Sequence, residues 1–202
     1  MKYKNEILKL FNNGYLTTKD VIEHNIPRIY LSRLIDEHVI ERVSRGIYIK
    51  SNDIPDDMVV LQNKSKNAIY SHMTTLYLYG LSNRIPIKYD ITVNQGYNGT
   101  LQRDNNVNLF YIKRDLLNLG LTTYMLDSGY EIKVYDLERT ICDIVKNKNR
   151  LDQEVVNKAI REYFYSNNKN VLKLYEYAKK LKIYDKVRNT FEVLKWLKTK
   201  TH

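Results

Sequence analysis

The sequence predicts an α+β protein: an N-terminal winged helix-turn-helix domain over residues 1–55, then a mixed α/β domain over 56–202 with a small sheet and a helical end. Three observations carry this. Three short amphipathic segments precede residue 37. Two alternating apolar runs then flank a glycine turn, and from Asp136 onward the periodicity is helical.

In the first fifty residues, Ile7, Leu8 and Phe11 fall at helical spacing, and Asn13-Gly14 supplies the residue type that ends a helix in the left-handed conformation. Thr17 is an N-cap with Asp20 three residues on, opening a two-turn helix that stops before Ile26-Pro27. Pro27 then opens a third helix whose Leu31, Leu34 and Ile35 point one way. At 100° per residue, Arg33 lies about 160–200° from that stripe, Ser32 flanks the opposite face and Arg28 sits in the first turn. Val39–Val43 and Ile47–Lys50 read as strands about Ser44-Arg45-Gly46.

Three helices and a basic hairpin place the third helix in the major groove, with the hairpin tip near the backbone or minor groove. Arg28, Ser32 and Arg33 are therefore the candidates for base edges. Arg45 at the tip, with Arg42, Lys50 and Lys19, is a candidate for phosphate contact, which positions without reading sequence. Asp36 and Glu37 turn the end of the third helix away from phosphate. A protein-docking module of the same shape is the alternative, with Arg33 a solvated charge.

Asp53, Pro55 and Asp56-Asp57 mark the joint near residue 55. Beyond it, a short helix at Met58–Lys64 is followed by Ser71 as N-cap of His72–Tyr79, with Gly80 closing that helix. Strands are expected at Tyr89–Val93, Val107–Ile112 and Glu131–Val134. Helices are expected at Leu137–Lys146, Gln153–Tyr165 behind Asp152, Val171–Lys180 and Tyr184–Lys198.

Charge narrows the partner. The 33 Lys+Arg against 23 Asp+Glu give +10, which favours a polyanion such as nucleic acid, although the Asn-, Lys- and Tyr-rich composition also suits an A+T-rich genome. The excess sits at the ends: +3 over residues 1–50 and +6 over 151–202, against 0 for 51–92 and +1 for 93–150. The C-terminal lysines and arginines, Lys173, Lys179, Lys180, Lys182, Lys186, Arg188, Lys195 and Lys198, interleave with Tyr175, Tyr177, Tyr184 and Trp196. That mixture suits a nucleic-acid backbone with stacked bases, or equally a solvated face over aromatic core.

Catalytic signals are sparse. His24, His38, His72 and His202 are scattered without a second ligand at i+3 or i+4, so no metal or cofactor is expected. The seven glycines form no phosphate-cradling motif. Asp115, Glu131 and Lys133 have the order of a Mg²⁺-dependent nucleic-acid-processing enzyme, but Glu-x-Lys also describes the wet face of any half-buried strand. Cys142, the one cysteine, has apolar flanks and reads as a buried thiol. No apolar run reaches membrane-spanning length and the N-terminus is amphipathic, so a cytoplasmic protein is expected.

Taken in order, Glu41-Arg42-Val43-Ser44-Arg45-Gly46-Ile47-Tyr48, Ser71-His72-Met73-Thr74-Thr75-Leu76-Tyr77-Leu78-Tyr79-Gly80-Leu81, Asp90-Ile91-Thr92-Val93 and Asp136-Leu137-Glu138-Arg139-Thr140-Ile141-Cys142-Asp143 resemble the AbiEi antitoxins of AbiE abortive-infection systems, streptococcal members among them. The resemblance covers roughly residues 5–198. It implies a non-enzymatic protein whose winged helix binds inverted repeats in its own promoter and represses the operon; the two-fold symmetry of such an operator suggests paired copies, with a monomer that self-associates only on DNA equally compatible. Its C-terminal domain would oppose a nucleotidyltransferase-like toxin without a stable complex, as type IV antitoxins do. Arg28, Ser32, Arg33 and Arg45 become operator contacts, while Ser71, His72, Arg139 and Asp143 are C-terminal motif positions without an assigned role.

Overall fold

In the computed structural model, which describes residues 2–65 and 67–200 (197 and 198 by their backbone), the chain separates into two units. One comprises residues 1–66 with 124–132, the other 67–123 with 133–202. The fold is α+β, with two sheets and a helical C-terminal end.

The first unit runs α1 (Lys4–Lys9), β1 (Tyr15–Thr17), α2 (Thr18–Glu23), α3 (Ile29–Asp36), β2 (Ile40–Ser44), β3 (Ile47–Lys50) and α4 (Asp57–Asn63). This is the element order of a winged helix-turn-helix unit. Its sheet is antiparallel in the order β1-β3-β2, with Leu16 opposite Tyr48 and Arg42 opposite Tyr48 on the other side. Ile7, Leu16, Val21, Ile26, Leu31, Leu34 and Ile40 form its core, so each of the first three helices contributes its apolar side.

Two local expectations are corrected here. The first helix ends at Lys9, and Asn13-Gly14 instead makes a tight turn, with φ +47° and +84° and an Asn12–Tyr15 bridge. Left-handed Asn-Gly pairs serve tight hairpins as well as helix ends, and the turn here feeds β1, a three-residue strand too short to show alternation. Pro27 lies two residues before α3, whose N-cap is Arg28.

Thr17 ends β1 and caps α2. Its Oγ accepts from the Asp20 amide at 3.2 Å, and the Asp20 carboxylate accepts the Thr17 amide at 2.8 Å, a complete capping box. Gly46 in the wing turn has φ +78°; its carbonyl accepts the Thr18 amide at 2.8 Å, and a Cβ there would meet Thr18 Oγ1 at 3.2 Å. The hairpin tip is thereby fixed to the start of α2.

The second unit continues with β4 (Ile69–Tyr70), α5 (His72–Leu78), β5 (Tyr89–Asn94), β6 (Val107–Ile112), β7 (Leu121–Met125) and β8 (Glu131–Tyr135), of which residues 124–125 and 131–132 group with the first unit, and then α6 (Leu137–Lys146), α7 (Gln153–Tyr165), α8 (Val171–Lys180) and α9 (Tyr184–Lys200). The sheet order is β6-β5-β4-β8-β7, with β5 parallel to β6, β4 antiparallel to β5 and parallel to β8. Its core joins Ile69, Tyr135 and Leu76 to Ile141, Ile144, Val156, Ile160, Leu174 and Phe191, so α6 lies among the sheet and the later helices. The strand β4, only two residues, and β7, whose residues stay half wet, carry no alternation that the sequence reveals.

Loss of the α2 cap should cost the first unit about 1 kcal/mol, so Thr17→Ala is expected to lower the urea midpoint without changing the slope of unfolding. An unchanged midpoint would show that the box contributes nothing.

Candidate nucleic-acid interface and a buried polar network

A cleft of about 460 Å³ in the first unit is lined by Thr18, Arg28, Leu31, Ser32, Arg42, Arg45, Gly46 and Tyr48. It arises because Arg28 and Ser32 stand four residues apart, on one face of the helical turn, while Arg42 and Arg45 rise from the hairpin. Leu31 and Tyr48 are buried. The wing is held in shape locally, Arg42 Nε donating to the Ser44 carbonyl at 3.2 Å. Among the described residues neither Arg28 nor Arg45 has an ion-pair partner.

The other sequence candidates lie outside this cleft. The Arg33 guanidinium, exposed on α3, rests 5.2 Å over the Tyr30 ring. Lys19 pairs with Glu23 at 3.3 Å, and Lys50 lies 5.6 Å over Phe11. Ile29, 55% exposed on α3, was not singled out by the sequence reading, although its position about 200° from Leu31 takes it off the buried stripe. Asp36 and Glu37 are exposed, and Glu37 pairs with Lys4 at 3.3 Å.

In the second unit Ser71, His72, Arg139 and Asp143 are all buried and belong to one polar region. Arg139 is wholly inaccessible. Its Nε donates to both Asp143 oxygens at 3.1 and 3.0 Å, and its Nη1 to the Leu116 and Leu119 carbonyls at 3.0 and 2.6 Å. The guanidinium lies 4.1 Å over the Tyr135 ring. Gly120, φ +75°, is required beside it, since a Cβ would approach Arg139 Cβ to 2.5 Å.

His72 stacks on Phe110 with 3.6 Å between ring centroids. The Asn147 amide donates to His72 Nε2 at 2.9 Å, which assigns the ring proton to Nδ1, 2.8 Å from Ser71 Oγ. Thr92 Oγ1 donates to the same Ser71 oxygen at 2.8 Å. Ser71 therefore does not cap α5 with its side chain, as expected from sequence. Asp90 reaches across from β5 and accepts the Met73 amide at 3.0 Å, leaving Ser71 free to join the histidine network. Burial, with the charges of Arg139, Arg150 and Lys146, holds the His72 imidazole well below its ordinary pKa. Burial pushes the Asp90 carboxyl up, opposed by its Asn108 and Met73 hydrogen bonds.

Asp115 lies exposed in the 3-10 turn Arg114–Leu116, and Glu131 and Lys133 are exposed on β8 in alternation with buried Ile132 and Val134. Among the described residues no three His, Cys, Asp or Glu side chains are placed to hold a metal. His24 and His38 are exposed, and His202 lies outside the described residues. Cys142 is buried, and burial raises its thiol pKa. Of the C-terminal cations, Lys173 pairs with Asp136 at 3.0 Å, Arg188 with Glu192 at 2.7 Å, and Lys179 lies 5.4 Å over Tyr184. Trp196 is 55% exposed, while the Lys198 side chain lies outside the described residues. No described helix is long and apolar enough to cross a membrane.

Two measurements test this network. Arg139→Met leaves Asp143 buried and unpaired, which should cost about 3–5 kcal/mol of stability in urea unfolding; a loss under about 1 kcal/mol would deny the pair its structural role. The unfolded chain protonates His72 as pH falls through about 6.5, while the folded chain does not. Its contribution is therefore complete above that pH and declines below it by up to about 1.4 kcal/mol per pH unit. His72→Gln should flatten the pH dependence of unfolding on the acid side, and an equal slope in both proteins would refute the assignment.

Among comparisons with known proteins, no curated protein matches the chain. The crystal structure of RV2827C protein from Mycobacterium tuberculosis is similar at a TM-score of 0.46 and 11% identity, over 89% of this chain and 75% of that one. Residues 5–49, which run from the second residue of α1 to the third residue of β3, match the family model described as transcriptional regulator, AbiEi antitoxin.

Proposed function

We propose that this chain is a DNA-binding antitoxin that represses its own operon. In this reading residues 1–55 recognise inverted repeats in its promoter. Residues 56–202 oppose a nucleotidyltransferase-like toxin in the cytoplasm without forming a stable complex, the part of the proposal that rests on the resemblance alone. The observation that carries the DNA-binding half is the cleft that gathers Arg28 and Ser32 from α3 with Arg42 and Arg45 from the hairpin.

The chemistry follows from the geometry. At eight residues α3 is roughly 12 Å long, a length the major groove admits. Arg28 and Arg33 supply planar forks suited to the O6 and N7 acceptors of guanine, Ser32 a hydroxyl that bonds any base edge, and Ile29 an apolar contact for a thymine methyl. Arg45, Arg42, Lys19 and Lys50 would hold phosphate and set the register. Operator two-fold symmetry would bring two copies together on DNA.

A mobility-shift titration on the DNA upstream of its own gene tests this. Arg28→Ala should weaken binding roughly 5- to 150-fold and relax preference at one base position. Arg45→Ala should weaken all sequences alike and reduce the salt slope by about one. A shift indifferent to sequence, or unaffected by both substitutions, would remove the operator-reading role.

A further inference from the structure

We infer that the second unit holds a binding pocket for the phosphate of a small phosphomonoester, of the 5′-nucleotide class. The pocket, about 50 Å³, is lined by His72, Thr92, Phe110, Arg139, Lys146 and Arg150, with Tyr111, Ile112, Asp143 and Asn147. Three of these side chains are lysine or arginine. The one carboxylate among them, Asp143, already faces the Arg139 Nε with both oxygens.

Arg139 adds positive charge to the pocket wall from the interior, its side chain being wholly inaccessible. Its Nη2 is buried and has no hydrogen-bond partner, while Nε and Nη1 are saturated. At the rim, Lys146 and Arg150 are exposed and neither forms an ion pair among the described residues; Arg150 instead lies 4.9 Å over Phe110. His72, held well below its ordinary pKa by burial and then by the nearby cations, adds no charge and stacks on Phe110.

The volume suits a single tetrahedral oxyanion rather than a larger acid. Phe110 and Arg150 also line a neighbouring cleft of about 700 Å³, together with Ile85 and Ile87, 74% and 96% exposed, Lys88, Asp90, and Arg84 paired with Asp152. Ligand clefts of that size hold organic molecules such as a nucleoside. Exposed isoleucines suit an apolar base face, and the shared Arg150 lies where the phosphate of such a ligand would meet the smaller pocket.

Calorimetric titration of the full chain with inorganic phosphate, AMP and adenosine tests this. Phosphate and AMP are expected to bind, AMP more tightly, and adenosine not. The double variant Lys146→Ala, Arg150→Gln changes exposed side chains only and should weaken AMP at least roughly tenfold. Circular dichroism and the upstream-DNA shift, which depends on Arg28 and Arg45, should be unchanged. Absence of phosphate binding, or binding equal in the variant, overturns the pocket. Phosphate binding with no gain for AMP overturns the nucleotide class. None of these results bears on operator binding, so the two proposals fail separately.

Discussion

Arg139 is a full charge carried into the interior of the second unit, and its desolvation constrains the neighbouring segments. A buried guanidinium is tolerated only when its donors are met and a counter-charge lies close. Asp143, one helical turn along α6, provides the charge, and the loop leading into β7 turns two carbonyls toward Nη1. That loop comes near enough because Gly120 has no Cβ. Tyr135 on β8 covers the guanidinium face and sends its own hydroxyl to the Leu117 carbonyl at 2.8 Å. Helix, loop and sheet are therefore joined through one side chain, which is also one of the residues lining a cationic pocket.

The first unit solves the opposite problem, keeping charge in water at a defined place. Its small core fixes α3 by Leu31 and Leu34, so the remaining helix face must be exposed. The capping box at Thr17 and the Gly46 carbonyl then set where the hairpin tip lies relative to α2. The +10 net charge is consequently not an even coat. Lys4, Lys19, Arg84, Lys173 and Arg188 are engaged with carboxylates, while Arg28, Arg45, Lys146 and Arg150 have no ion-pair partner among the described residues. Exposed pairs contribute little stability, but they cancel local field, so the cations at Arg28 and Arg45 and at Lys146 and Arg150 keep theirs.

Legibility in the sequence followed the range of the interaction. The helices from Leu137 to Lys180 were readable to the residue, because Asp136, Asp152 and Asn170 cap them within three residues and their apolar spacing repeats over several turns. The same local logic mistook Asn13-Gly14 for a helix end, and it placed Ser71 at the N-cap of α5, as observed, without showing that the Ser71 hydroxyl bonds His72 rather than the helix. In each case the side chain's chemistry was compatible with two local structures. A strand partner at Tyr15 settled the first, and Asp90, nineteen residues from Ser71, settled the second.

The candidate sites divide in the same way. Sequence alone determined that the third helix would bury Leu31 and Leu34 and leave Arg28, Ser32 and Arg33 exposed, since helical phase is a property of neighbours in the chain. Only the tertiary structure decided that Arg28 and Ser32 share a cleft with Arg42 and Arg45, that Arg33 rests on Tyr30, and that His72, Arg139 and Asp143 meet Lys146 and Arg150 at one pocket. The reason is physical. A helix or turn is written in interactions spanning three or four residues, whereas a site is made by strand pairing and core packing that bring distant residues together at angles no local periodicity encodes.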